Sequence, residues 1–275
     1  MNSIFLALEQ LHTQLSQALP ATPGLCHFDV SFPLNDAFDP LAWLGEQQCY
    51  PQFYWQQRNG DEELAALGAV TQFSSLALAS QFLRAEHAPK ETRICGLNAF
   101  SPEQGSLFLP RLLWRRTAGN ATLRLQLWSD SSLQDDARTA LELLQQLRPA
   151  RAIRPLSVQV ERETHLPQKP EWLTLIGKAT ETIARGDFEK VVLARATDLQ
   201  CKQRVNPVAL MAASRALNLN CYHFCMVFDA RNAFLGSTPE RLWRRRGKLL
   251  RTEALAGTVA SHTDDKQAQR LGEWL

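Results

Sequence analysis

Lys190 lies in the run Asp187-Phe188-Glu189-Lys190-Val191-Val192-Leu193-Ala194-Arg195-Ala196, and Glu240 lies in Gly236-Ser237-Thr238-Pro239-Glu240-Arg241-Leu242. A lysine amine stripped of water beside apolar neighbours is a competent general base near neutral pH. A glutamate held stiffly in an apolar cleft can stay protonated and donate that proton to a leaving hydroxyl. Pro239 fixes its own φ and restricts Thr238, so the backbone entering Glu240 is stiff, and Gly236 permits close backbone approach. One base and one acid are what an elimination or hydration on a small acidic substrate needs. The same types also fit a strand-end lysine reaching solvent and a carboxylate paired with Arg241.

A third run, Glu253-Ala254-Leu255-Ala256-Gly257-Thr258, combines a small residue, a glycine and a hydroxyl. Backbone N–H groups at Gly257, with the Thr258 hydroxyl, could hold a carboxylate, although a turn that needs glycine gives the same triplet. Cys221, His223 and Cys225 alternate and so share one face of a strand, which lacks the fourth ligand and the turn geometry of a zinc site. The basic run Arg241, Arg244, Arg245, Arg246, Lys248 and Arg251, with Trp243 among it, suits either RNA or a solvated hairpin turning at Gly247-Lys248.

The elements that must position these residues read as mixed α and β. Leu25–Phe32, residues 53–57, Leu64–Val70, Arg93–Leu97, Leu107–Arg116 and Ala121–Trp128 read as strands, with Asn59-Gly60 a hairpin turn. Helical spacing predicts helices over 1–19, 76–84, 131–147, 170–185 and 207–217, the last capped by Asn206 with Pro207 in its first turn. Trp172, Leu175, Ile176, Ala179 and Ile183 line one face of the fourth. Residues 148–169 read as a polar connector with a short strand near 156–160. Residues 188–196, carrying Lys190, are expected as a buried strand, followed by strands at 222–228, 233–236, 240–246 and 249–255, with a helix from Asp264. Short hairpin connections imply mostly antiparallel pairing.

The 275 residues suffice for one large domain or two ordinary ones, and 45% hydrophobic with 21% charged residues makes disorder unexpected. A net charge of +2 gives no reason to expect a nucleic-acid partner. No apolar run is long enough to span a bilayer, and the N-terminus has neither a basic region nor a small-residue cleavage site. A cytoplasmic protein with six free cysteines is the expectation.

Together DFEKVVLARA, GSTPERL and EALAGT resemble the chorismate-utilising enzyme family, and within it the isochorismate synthases of the menaquinone pathway. FYWQQRNGDEE, GLNAF and LNLNCYHF extend the resemblance along the chain. The resemblance implies an α/β fold of the α+β type, a sandwich of mostly antiparallel sheets with outer helices. Residues 1–150 would be its variable half and 151–275 the first part of its catalytic region. It implies conversion of chorismate to isochorismate with Mg²⁺. Lys190 would activate water to attack the ring carbon next to the carboxylate-bearing one, Glu240 would protonate the departing hydroxyl, and Gly257 and Thr258 would touch the substrate. Anthranilate synthases carry glutamine where Lys190 stands, and aminodeoxychorismate synthases carry a nucleophilic lysine where Ala256 stands, so water is the implied nucleophile. Salicylate synthases share the lysine, which keeps a salicylate-forming enzyme as the alternative, beside a non-catalytic RNA-binding hairpin. Family members run beyond Leu275, so the family's metal-ligating glutamates and its arginine and tyrosine contacts are expected downstream of this sequence.

Overall fold

The computed structural model describes residues 3–253, apart from 18, 20, 35–37, 102 and 118, together with 266, 267, 269 and 270. Strands β1 (Gly24–Pro33), β2 (Gln52–Gln56), β3 (Glu62–Phe73), β4 (Cys95–Asn98), β5 (Gly105–Thr117) and β6 (Asn120–Ser129) come from the first half of the chain. Strands β9 (Tyr222–Val227) and β10 (Ala233–Thr238) come from the second. All eight form one antiparallel sheet in the order β1-β6-β5-β3-β2-β9-β10, with β4 added to β5. β2 pairs with β9 at Tyr54↔Cys225, so residues on either side of the 148–169 connector share a sheet. The antiparallel α/β class expected from the hairpin connections is the one observed.

Helices α1 (Ser3–Leu15), α2 (Pro40–Gly45), α4 (Leu133–Gln146) and α6 (Pro207–Leu217) cover one face of this sheet. α1 buries Ile4, Ala7, Leu11 and Leu15, a stripe at three- and four-residue spacing. These meet Leu67, Leu112, Trp114, Leu123 and Leu125, which alternate inward along their strands. On the other face Phe53, Leu64, Ala66, Phe108, Leu113 and Met226 form a smaller cluster. α3 (Leu76–Ala85) closes that face at one end, stacking Phe82 between Phe73 and Trp128.

The remaining elements stand apart from these cores. β7 (Val160–Leu166) pairs only with β8 (Ala196–Cys201), and β11 (Arg244–Arg246) pairs only with β12 (Leu249–Arg251), among the described residues. α5 (Lys169–Ala184) buries no side chain, although its apolar stripe is where the spacing puts it. The structure therefore corrects three expectations. The strand foreseen at 156–160 lies at Val160–Leu166, where polar residues pair with β8. The buried strand foreseen at 188–196 is an exposed irregular segment, with pairing beginning only at Ala196↔Leu166. The strand foreseen at 240–246 begins at Arg244. The foreseen helix from Asp264 falls mostly outside the described residues.

Candidate active site

Trp55 on β2 and Phe224 on β9 are cross-strand partners, and both point to the sheet face away from α6. With Tyr222, Thr238, Glu240, Arg241 and Trp243 they line a cavity of about 360 Å³. The rings of Trp55 and Tyr222 stack with centroids 6.2 Å apart at an interplanar angle of 25°. Gly236 lies opposite Phe224 in the β9–β10 register, and a Cβ there would come within 2.7 Å of the Phe224 ring. The close approach anticipated at Gly236 is thus made by an aromatic ring that forms part of the cavity wall.

Glu240 is exposed at the mouth of this cavity, and its N–H donates to Thr238 Oγ1 at 3.2 Å. The preceding carbonyl, that of Pro239, accepts from Arg58 Nη1 at 2.8 Å. Arg58 also lies 3.4 Å from Glu253, and its guanidinium stands 5.5 Å from the Tyr222 ring centroid. Arg241 pairs directly with the same Glu253 and stands 5.9 Å from the same ring. Two guanidiniums therefore share one carboxylate and one aromatic ring, a cation–π arrangement. Arg241 and Glu253 belong to GSTPERL and EALAGT, so the fold joins two of the three runs that carried the chemistry. The pairing of the basic run's first arginine with an acidic neighbour is the solvated-hairpin alternative realised in part.

The third run is elsewhere. Lys190 is exposed in the irregular segment after α5 and does not line the cavity beside Glu240. Val192 beside it is 82% exposed. None of the apolar neighbours that suggested burial is buried here. Gly257 and Thr258 lie outside the described residues.

A row of polar side chains crosses the opposite, helix-covered face: Arg116, Glu63, Gln56, His223 and Ser237 are successive cross-strand neighbours on β5, β3, β2, β9 and β10. Arg116 pairs with Glu63 at 2.9 Å, and the Tyr54 hydroxyl donates to Glu63 at 2.6 Å. Burial pushes the Glu63 carboxyl above its usual range, against the pull of Tyr54, Arg116 and Arg215. His223 Nδ1 lies 2.8 Å from Ser237 Oγ, which lies 2.8 Å from Ser214 Oγ on α6. Burial, and then the charge of Arg215, lower the His223 pKa. These bonds tie the end of β10, one residue before Thr238, to the helix layer.

Among the described residues no three His, Cys, Asp or Glu side chains converge to hold a metal ion. No helix among them is long and apolar enough to cross a membrane. Arg58, Tyr222 and Glu253 are the site residues that sequence reasoning passed over. All three sit inside quoted runs, Arg58 in FYWQQRNGDEE, Tyr222 in LNLNCYHF and Glu253 in EALAGT, but nothing in the sequence says that the three meet.

Comparison with known proteins gives the family. The profile described as chorismate binding enzyme matches residues 91–275. The isochorismate synthase MenF of Escherichia coli is 61% identical over all 275 residues, and that of Haemophilus influenzae is 34% identical over 97% of the chain. The solved structure of the E. coli menaquinone-specific enzyme superposes with a TM-score of 0.93, covering the whole of this chain. The chain spans 64% of the length of the E. coli relative and 59% of the H. influenzae one.

Proposed function

Because the chain belongs to the chorismate binding enzyme family, we propose that it is part of an isochorismate synthase, its variable half and the first part of its catalytic region, which converts chorismate to isochorismate in the cytoplasm for menaquinone biosynthesis. The observation that carries this reading is the joining of GSTPERL to EALAGT through Arg241 and Glu253, beside an aromatic cavity with Glu240 at its mouth. Trp55, Tyr222 and Phe224 suit a flat unsaturated ring, and Arg241 and Arg244 suit its carboxylates.

In this reading Lys190 takes a proton from water as the oxygen bonds to C2 of the ring. The double bonds shift, the C4–O bond breaks, and Glu240 delivers its proton to the departing hydroxyl, releasing water. Water enters and water leaves, so the reaction is an isomerisation. For Lys190 to act, it must come to the ring, and no residue of the 187–195 segment is buried. Mg²⁺ is the cofactor the family implies, and it would neutralise the substrate carboxylate. The resemblance places the glutamates that would hold it downstream of Leu275.

The test joins this chain to the remaining C-terminal part of the E. coli relative and supplies chorismate and Mg²⁺. Isochorismate should form without pyruvate. Lys190→Ala and Glu240→Gln should each lower turnover about a hundredfold or more. Salicylate with pyruvate would mark the alternative enzyme, and near-normal turnover in either variant would remove that residue from its role.

A further inference from the structure

We propose that Arg58 is the positioning residue for Glu240, clamping the peptide that carries it from the end of β2, two strands away in the sheet order. The inference rests on the reading of Glu240 as the proton donor, but the clamp itself is a matter of geometry. The Pro239–Glu240 peptide is held at both ends. Its oxygen accepts from Arg58 Nη1 at 2.8 Å, and its N–H donates to Thr238 Oγ1 at 3.2 Å. A peptide unit is planar, so fixing its oxygen and its nitrogen fixes where the Glu240 Cα lies, the point from which its side chain starts. Proline at 239 already sets φ there, which leaves ψ as the rotation Arg58 controls.

Arg58 is itself well anchored. Its backbone precedes the Asn59-Gly60 turn, closed by Gly60 N–H donating to Gln57 O at 2.8 Å and Gln57 N–H donating to Glu62 O at 2.8 Å. Its guanidinium is steered by Glu253 and lies over Tyr222. Arg58 is not among the residues lining the cavity, so it does not compete for the ligand it helps to place. Both polar contacts are made by Nη1, and a lysine would keep the charge and the ammonium donors but not the planar guanidinium that lies over Tyr222.

The experiment compares the wild type with Arg58→Met, which keeps an apolar stem, and Arg58→Lys. Amide hydrogen exchange is measured on the chain, and steady-state kinetics on the chain extended as above. In Arg58→Met the Glu240 amide should exchange about tenfold faster or more, while β9–β10 amides are unchanged. Turnover should fall on the order of tenfold to a hundredfold with KM within about twofold. Arg58→Lys should recover part of both, and if Arg58→Met does not fold, Arg58→Lys alone must show an intermediate rise in exchange. An unchanged Glu240 amide, faster exchange across the whole sheet, or a raised KM at constant turnover would each overturn the proposal. Wild-type protein that makes no isochorismate would defeat the proposed function, while the exchange comparison would still decide the clamp.

Discussion

His223 is a buried imidazole whose nearest polar partner is a serine hydroxyl, with the Arg215 cation close enough to oppose its charging. Its folded pKa lies below the unfolded value of about 6.5. As pH falls, the unfolded chain therefore takes up this proton first, and stability present above about pH 6.5 is lost on acidification. Glu63 acts in the opposite sense, because a carboxyl raised by burial costs stability as pH rises above its unfolded value. A single variant separates the two: His223→Gln should lose less stability than wild type between pH 7.5 and 5.5, read as urea midpoints. Equal losses would clear His223 of the effect. Gly236→Ala probes the cavity wall instead. Its backbone suits alanine, and the new methyl meets only the far end of Phe224, so the ring must turn toward the cavity. Affinity for chorismate, followed by the fluorescence of Trp55 and Trp243, should drop severalfold with the melting temperature nearly constant. At this scale the stiff corner before Glu240 was legible from Pro239, and it stands at the mouth of the aromatic cavity. The setting of Lys190 was not legible, since Val191 and Val192 state a preference for burial that only distant packing can satisfy.

Elements were legible where a period repeats or a cap is spelled out. β6 alternates cleanly through Thr122-Leu123-Arg124-Leu125-Gln126-Leu127, and its inward leucines are fully buried. α6 starts where Asn206-Pro207 says it should, with the Asn206 side chain accepting from the N–H groups of Val208 at 2.9 Å and Ala209 at 3.1 Å. Asn206→Ala should therefore destabilise the protein by about 1 kcal/mol in equilibrium unfolding, and no change would mean that packing of Val208 and Met211 alone sets the helix start. α2 escaped notice because Pro40 to Leu44 are all buried, so no polar face reveals a helical period. Its only signal is Asp39, whose carboxylate caps Leu41 N–H at 2.9 Å, followed by Pro40. β4 holds a different lesson. Gly96 sits at φ +141°, and a Cβ there would stand 2.1 Å from Ser106 O on β5. Gly96→Ala meets both backbone strain and a backbone clash, so β4 should peel from β5, visible as faster exchange at Leu97 and a lowered melting temperature. A glycine in a strand-like run advertises such a contact without naming the partner.

Across the whole molecule, burial is divided unevenly along the chain. Between Ala140 and Val208 no residue is buried, while Val208, Ala209, Met211, Tyr222, Cys225, Met226 and Val227 return to the same sheet that the first half built. Local stability follows buried apolar contact, so the α5 and β7–β8 region should open at far lower free energy than the sheet. Trypsin offers a direct reading, because Arg185, Lys190 and Arg195 stand in or beside the irregular stretch after α5 and all are exposed. The first cuts should fall there, ahead of the arginines of β5 and β6. A nicked molecule should nevertheless stay in one piece, because the later fragment carries β9, which is hydrogen-bonded to β2 on one side and β10 on the other. The two fragments should co-elute on gel filtration and part only in denaturant. Early cuts inside β5 or β6, or spontaneous separation of the fragments, would show that the two stretches of chain do not share one core. If the segment bearing Lys190 closes over the substrate, chorismate should slow cleavage after Lys190 more than cleavage after Arg185. The ratio of those two rates reports on the Lys190 segment without requiring turnover, and a ratio indifferent to chorismate would place Lys190 outside the site even where the ring binds.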